Sequence, residues 1–483
     1  MITLLLILIP LLLGSAFLLN SKQESSKIVN IGTGFTLLIA FVYIAGFIQY
    51  NAGQVANLDL KAAWLPSLNI NFHIGWDGLG AVMMGLTATL VPIIMYSLKS
   101  FEYENKSKLI GLILLTQSAL FGVFAAKDIF VFYFFFELAL IPVYIIANFW
   151  GGKDASKVTF KMLVYTIFGS LLMLVAFIVL YMRGQSSDIE SIKVTISLVP
   201  KVIQYFAFWA FLIAFMIKMP VFPLHTWQPD AYSKSPTPAT MLLSGLLSKM
   251  GVFGLLRILV PFSPFALESY ALMVSVLGII GLIYGSIIAI QQDSMKRLIA
   301  YSSFAHMGIM AAAVMTASVE GIQGAIFQMV AHGFNVVGLF YIAKLIADRT
   351  GLRELSALGG LSQKAPKLAV MFMIILLGSV ALPLTNGFIG EFLMLKSIFD
   401  FNNILGIVAG LSIILGAVYM LRFFQKTIFG DLNAKNEQIA DLTSTEMWVL
   451  VPIAIVVLVT GLFPSLILEI SEPFANALSN ITK

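Results

Sequence analysis

Ala214-Phe-Met-Ile-Lys218-Met-Pro220-Val-Phe-Pro223 places a lysine at the end of an apolar run and two prolines directly behind it. A proline has no N–H and frees the carbonyl four residues back. Inside hydrocarbon that carbonyl must be satisfied by protein or water. The stretch is therefore predicted to be a membrane helix broken at depth, with Pro220 and Pro223 as the breaks.

The rest of the chain agrees with a membrane setting. Of its 483 residues, 59% are hydrophobic and 11% charged, against about 25% charged in soluble domains. So few charges cannot cover a water-soluble surface, which excludes an ordinary soluble enzyme. A bilayer crossing needs about 20 apolar residues. Fourteen such spans are predicted near 2–19, 28–50, 77–98, 108–126, 128–147, 161–182, 202–224, 238–260, 266–290, 297–316, 321–347, 367–396, 402–429 and 446–468. The fold class is all-α and polytopic, with lipid as the surrounding solvent.

The net charge of +5 comes from Lys and Arg scattered through short loops, not from a basic stripe, so no nucleic acid is expected. With both termini on the outer side, inner loops hold 19 of the 29 Lys and Arg residues and outer loops eight, as the positive-inside rule requires. The apolar start, Met1 to Pro10, precedes the first positive charges, Lys22 and Lys27. It reads as a retained span rather than a cleaved signal. The chain has no cysteine, so it can hold no disulfide or cysteine-bound cluster. Neither a G-x-G-x-x-G nor a P-loop motif occurs, and no metal site is suggested.

Further breakers fall in span 12, at Pro383, Gly387 and Gly390, and in span 11, at His332-Gly333. Breaks five spans apart suggest two five-helix repeats, the second inverted because five is odd. The predicted division is 1–107 for spans 1–3, 108–260 for the first repeat, 261–430 for the second, and 431–483 for a loop and span 14.

Six ionisable residues sit within spans: Glu137, Lys218, Lys249, His306, His332 and Glu391. An ionisable group at bilayer centre costs about 2.5–3.5 kcal/mol on insertion scales. Acid, amine and imidazole groups whose proton affinities depend on their neighbours form a proton relay. Each also has a plainer reading. Glu137 could be a structural ion pair, Lys218 could snorkel, and His306 could be a satisfied core histidine. Lys249 has apolar flanks for several turns, and His332 beside a glycine suggests a water-lined place. His225 follows the span 7 break and is a candidate for proton access. His73 is expected to be solvated. The run Phe130 to Phe136 is expected to be lipid-facing or packing surface, not a quinone site.

At these residues the chain resembles a known family. Lys218-Met-Pro-Val-Phe-Pro-Leu-His-Thr-Trp-Gln-Pro-Asp230, Leu247-Ser-Lys249-Met-Gly-Val-Phe-Gly-Leu-Leu-Arg257 and Gln292-Asp-Ser-Met-Lys-Arg-Leu-Ile-Ala-Tyr-Ser-Ser303 with His306 are similar to the antiporter-like subunits of respiratory complex I, the proton-pumping NADH:quinone oxidoreductase. The resemblance covers about spans 3 to 13. Glu391, where other members usually carry lysine, resembles the M-type branch (NuoM-type). It implies a fourteen-helix fold and a proton path through Glu137, Lys218, Lys249, His332 and Glu391. It also implies L-type and N-type neighbours and a bacterial inner membrane. NADH, flavin, iron–sulfur clusters and quinone would belong to the rest of the complex, with no cofactor in this chain. An Mrp-type sodium/proton antiporter subunit and a membrane-bound hydrogenase subunit are the alternatives. One departure stands out: Leu384 occupies a position where the family often has glycine.

Overall fold

The structure, a computed structural model, describes residues 1–19, 27–431 and 439–481. Lys22, Lys435 and Lys483, counted above in the charge asymmetry, lie outside the described residues. Among the described residues thirteen helices are long and apolar enough to cross a bilayer. The remaining predicted crossing, span 12, is bipartite: Pro366–Ser379 and Asn386–Phe401. Helices dominate because only they satisfy every backbone polar group within one segment in lipid.

Burial sorts these helices. Spans 8 (Thr237–Phe262), 10 (Met295–Met315) and 11 (Val319–Thr350) are 100%, 94% and 94% buried over their apolar windows, whereas span 1 (Ile2–Leu19) is 28% buried. The buried three carry Lys249, His306 and His332, so these groups face protein and not lipid. Spans 8 and 11 approach closely where Gly245 meets Gly333: a Cβ on Gly333 would lie 3.1 Å from the Gly245 carbonyl oxygen. Small residues allow such contacts between membrane helices.

This corrects one expectation. His332-Gly333 is no break, because Val319–Thr350 runs on as a single helix of 32 residues. Gly333 is there for close approach. Span 7 does break as expected: its helix Lys201–Lys218 ends at the lysine, and a turn leads to the short helix Gln228–Lys234.

In span 12 the break lies at Val380–Thr385. Ala381 and Leu384 take positive φ, 61° and 73°, a region that costs a residue with a Cβ about 1–2 kcal/mol. Leu384 thus takes a backbone form that favours glycine. The Thr385 hydroxyl donates to the Leu382 carbonyl at 2.6 Å, and Gly461 of span 14 leaves room for the turn. Pro383 sits in this turn, but Gly387 and Gly390 do not break the helix. Both lie within Asn386–Phe401, Gly387 against the Gly378 carbonyl and Gly390 against Gln328. Gly387→Ala drives its methyl into backbone, which cannot yield as a side chain can. It is expected to lower the amount of assembled protein several-fold, measured by native-gel quantification.

One end of the bundle carries a two-stranded antiparallel hairpin, Leu60–Leu65 with Ile70–Ile74. A C-terminal helix, Ser465–Ile481, covers the same end, where the Gln323 amide donates to the Leu468 carbonyl at 3.2 Å. This is called the hairpin face below. His73, expected to be solvated, is instead held there: its Nδ1 lies 2.9 Å from Asp188, and its side chain is 17% exposed. Asp188 sits far below the ordinary carboxyl range because of that hydrogen bond.

Candidate functional site

Span 8 departs from regular helix just before its lysine. Leu243–Leu247 is a π-helical turn, a form often found at functional sites. Ser248 N–H bonds the Leu243 carbonyl at 3.0 Å. The Ser244 carbonyl is then open to the Lys249 amine and to the Ser248 hydroxyl, at 3.0 Å for the latter. Lys249 is fully buried. Its Nζ lies 2.7 Å from His332 Nδ1, across the Gly245–Gly333 approach.

The His332 ring is 5.4 Å, centroid to centroid, from His306 on span 10. His306 Nδ1 is 2.9 Å from the Ser302 carbonyl, and its Nε2 is 2.9 Å from Glu391 Oε1. A carbonyl only accepts, so Nδ1 carries a hydrogen. The Nε2–Glu391 contact then holds one proton, either as imidazolium with carboxylate or as imidazole with carboxylic acid. The Lys249–His332 contact likewise has two forms: ammonium donating to Nδ1, or Nδ1–H donating to a neutral amine. Each exchanges a proton with no movement of heavy atoms. Four of the six predicted residues thus join in one line, Lys249, His332, His306 and Glu391. Asn335, one turn beyond His332, donates to Asn386 at 3.1 Å and ties span 11 to the broken helix.

Lys218 and Glu137 are arranged differently. Lys218 is buried, with its Nζ 4.5 Å from the centre of the Phe136 ring. Glu137 is the carboxylate whose charge acts on it, yet among the described residues no ion pair joins them. Glu137 is half-buried and lines an open apolar groove with Trp64, Leu68, Phe134, Ile141 and Tyr181. Glu137 lies near the end of Ile129–Leu138, the first of the two helical pieces of span 5, the second being Leu140–Phe149. The phenylalanine run is packing surface as expected: Phe132 contacts Phe136, Phe177, Phe215 and Phe253. His225 is buried and stacks on Phe304 at 4.2 Å. Among the described residues its Nδ1 has no hydrogen-bond partner.

Sequence reading passed over a charged cluster at the hairpin face. Asp77 caps span 3 by accepting from Gly80 N–H at 2.8 Å. Arg257 grips both its oxygens, Nη2 at 2.7 Å, and Lys127 reaches it at 2.5 Å. Burial works against ionisation of Asp77, but the charges of Arg257 and Lys127 prevail and hold it well below the ordinary carboxyl range. A carboxyl depressed on folding stabilises above its unfolded value and loses that contribution as pH falls through the folded one. This tie is therefore constant across neutral pH.

A family described as "NADH:quinone oxidoreductase/Mrp antiporter, TM" matches residues 126–416, which contain all six relay candidates. The chain belongs to this family. It is 37% identical over 476 residues to the NADH-quinone oxidoreductase subunit M of Rickettsia conorii, covering 97% of this chain and 96% of the relative. To that of Rhodobacter capsulatus it is 36% identical, covering 91% and 88%. Among solved structures, a chain of respiratory complex I from Thermus thermophilus with bound NADH superposes with a TM-score of 0.90, 29% identity and full coverage of both chains. Within the NADH:quinone oxidoreductase/Mrp antiporter family, this chain is a multi-span subunit of the M type of NADH:quinone oxidoreductase, a proton-pumping complex.

Proposed function

We propose that Lys249, His332, His306 and Glu391 carry protons through the middle of this subunit, and that Lys218 with Glu137 gates their passage. Two titratable contacts placed end to end carry the reading: 2.7 Å from Lys249 to His332 and 2.9 Å from His306 to Glu391, with the two imidazole rings 5.4 Å apart. One bridging water would connect the two imidazoles, and such a bridge is nearly as good as a direct bond. Protons come in from the inner side near Lys249 and His332 and leave near Glu391 toward the outer side. The hairpin face is then the outer one, with both termini, in a bacterial inner membrane. His225, at the foot of span 7, is a second point of access.

The open groove around Glu137 suits burial by an adjacent subunit, and L-type and N-type antiporter-like chains are the proposed neighbours. A charge moving in such a neighbour changes the field at Glu137 and so at Lys218. Redox chemistry with NADH, flavin, clusters and quinone belongs to other subunits. Residues 108–260 and 261–430 are taken as the two inverted repeats, each with one broken span, 7 and 12.

The test is NADH-driven proton translocation in vesicles holding the intact complex. Glu391→Gln removes the titrating oxygen while keeping shape, and is expected to reduce protons moved per electron by at least half. An unchanged ratio would sink the proposed path.

A further inference from the structure

Charge is matched at the hairpin face and unmatched at the opposite end. On the hairpin face Asp77 answers Arg257 and Lys127, Asp188 answers His73 and Lys61, and Glu190 answers Lys193. At the other end, the last turns of span 11, the first residues of spans 8 and 10 and the end of the short helix Gln228–Lys234 border a cavity of about 700 Å³. Six cations line it, against two carboxylates, Asp348 and Glu354. Both carboxylates are already engaged. Asp348 holds Lys344, and Glu354 accepts from the Arg353 backbone N–H at 3.3 Å. Arg297 is taken by Asp230 at 2.8 Å. The other four lining cations, Lys153, Lys234, Lys296 and Arg353, make no ion pair among the described residues.

A surplus of cations on one face is what membrane orientation alone produces. That accounts for Lys153, Lys234 and Arg353, which are exposed. It does not account for Lys296. This residue is half-buried, and its Nζ donates to the Ser235 carbonyl at 2.9 Å. An ammonium has three N–H groups, so two are left for a ligand. The charges acting on Lys296 include those of Lys344 and Arg353, with Asp348 the carboxylate opposing them. A charge withdrawn from water needs a partner, and most of its charged neighbours have its own sign. Two hydroxyls in the same wall, Ser235 Oγ and Thr237 Oγ1, are buried with no hydrogen-bond partner among the described residues. Cations in a cleft with low-dielectric walls focus their field and concentrate anions there.

We infer that this cavity binds a phosphate group, with Lys296 and Arg353 as its main contacts. Phosphate suits these donors better than carboxylate does. A phosphate monoester offers three acceptor oxygens and about two negative charges near neutral pH. An arginine fork takes two of those oxygens at once, and a lysine serves as a point charge. The volume admits an ester as well as the bare ion. The source is therefore free phosphate from the aqueous side or the head group of an acidic lipid, which basic pockets between membrane helices can hold. The site stands apart from the relay and does not depend on it.

Protection of a single cysteine in the intact complex tests this. The chain has no cysteine of its own, so Ser233→Cys, in the cavity wall, is read by the mass of this chain alone. Its reaction with the uncharged reagent methyl methanethiosulfonate is expected to slow at least threefold in inorganic phosphate, relative to sodium chloride at equal ionic strength. Nanodiscs of phosphatidylglycerol, compared with phosphatidylcholine in phosphate-free buffer, test the lipid source. Slowing by inorganic phosphate identifies a free anion, and slowing by phosphatidylglycerol alone identifies a head group. Either supports the site. Lys296→Gln is expected to abolish the slowing, and Arg353→Gln at least to halve it. Arg353 is exposed, so Arg353→Gln keeps the fold even if Lys296→Gln does not. No slowing from either source, or slowing that is undiminished in Arg353→Gln, overturns the inference.

Discussion

Lys218→Leu is expected to give a complex that assembles in normal amount, is at least as heat-stable as the unaltered one, and translocates protons at least tenfold more slowly. The argument rests on what the lysine gains where it sits. Its ammonium is buried with no ion pair among the described residues, above the Phe136 ring at 4.5 Å. A desolvated cation–π contact returns about 2 kcal/mol, while a charge at membrane depth costs about 2.5–3.5 kcal/mol on insertion scales. The two roughly cancel, so the fold gains little from the charge. Leucine fills similar volume among the surrounding phenylalanines and carries no charge to desolvate. Replacing a poorly paired buried charge with a hydrophobe is often neutral or stabilising.

The split between stability and activity is the informative readout. A lysine kept only to hold span 7 in place would cost assembly when removed. One that exchanges protons, or answers the field of Glu137, costs turnover alone. Native gels quantify assembly, a thermal melt reports stability, and a pH-sensitive dye in vesicles follows pumping with NADH. Pumping above half the normal rate would show that Lys218 does not gate the path.

What could be read from residues alone follows from cost. An ionisable group in hydrocarbon is expensive, so Lys249, His332, His306 and Glu391 stand out one at a time. Pro220 and Pro383 stand out because they remove a backbone donor. Pairing is another matter. Lys249 meets His332 across 83 positions and His306 meets Glu391 across 85, and helix spacing says nothing of contacts between distant spans. His332-Gly333 misleads because glycine weakens a helix in general. Here it is retained for close approach to Gly245. The π turn before Lys249 has no local signal in Leu243-Ser-Gly-Leu-Leu247.

Asp77→Ala is expected to have the largest effect on stability. Arg257 is 1% exposed, and Asp77 takes both arms of its guanidinium. The arginine cannot shed its charge, because its proton is held at every pH a protein survives. It cannot turn into solvent either, with Phe253 and Phe474 packed against it at 5.1 and 5.4 Å. Removing one partner of a buried pair costs about 3–5 kcal/mol, because the other charge stays behind. Against a net stability of about 5–15 kcal/mol, that is enough to remove most of the subunit from assembled complex. The cap of span 3 is lost as well. Lys127 suffers less, since at 12% exposure it has a route to water. The charge-free double variant Asp77→Leu with Arg257→Met is therefore expected to recover much of the assembled protein, whereas Arg257→Met alone leaves Asp77 with Lys127 and sits between the two. Normal assembly and an unchanged melting temperature for Asp77→Ala would mean that water reaches this cluster and that the hairpin face holds together by apolar contact alone.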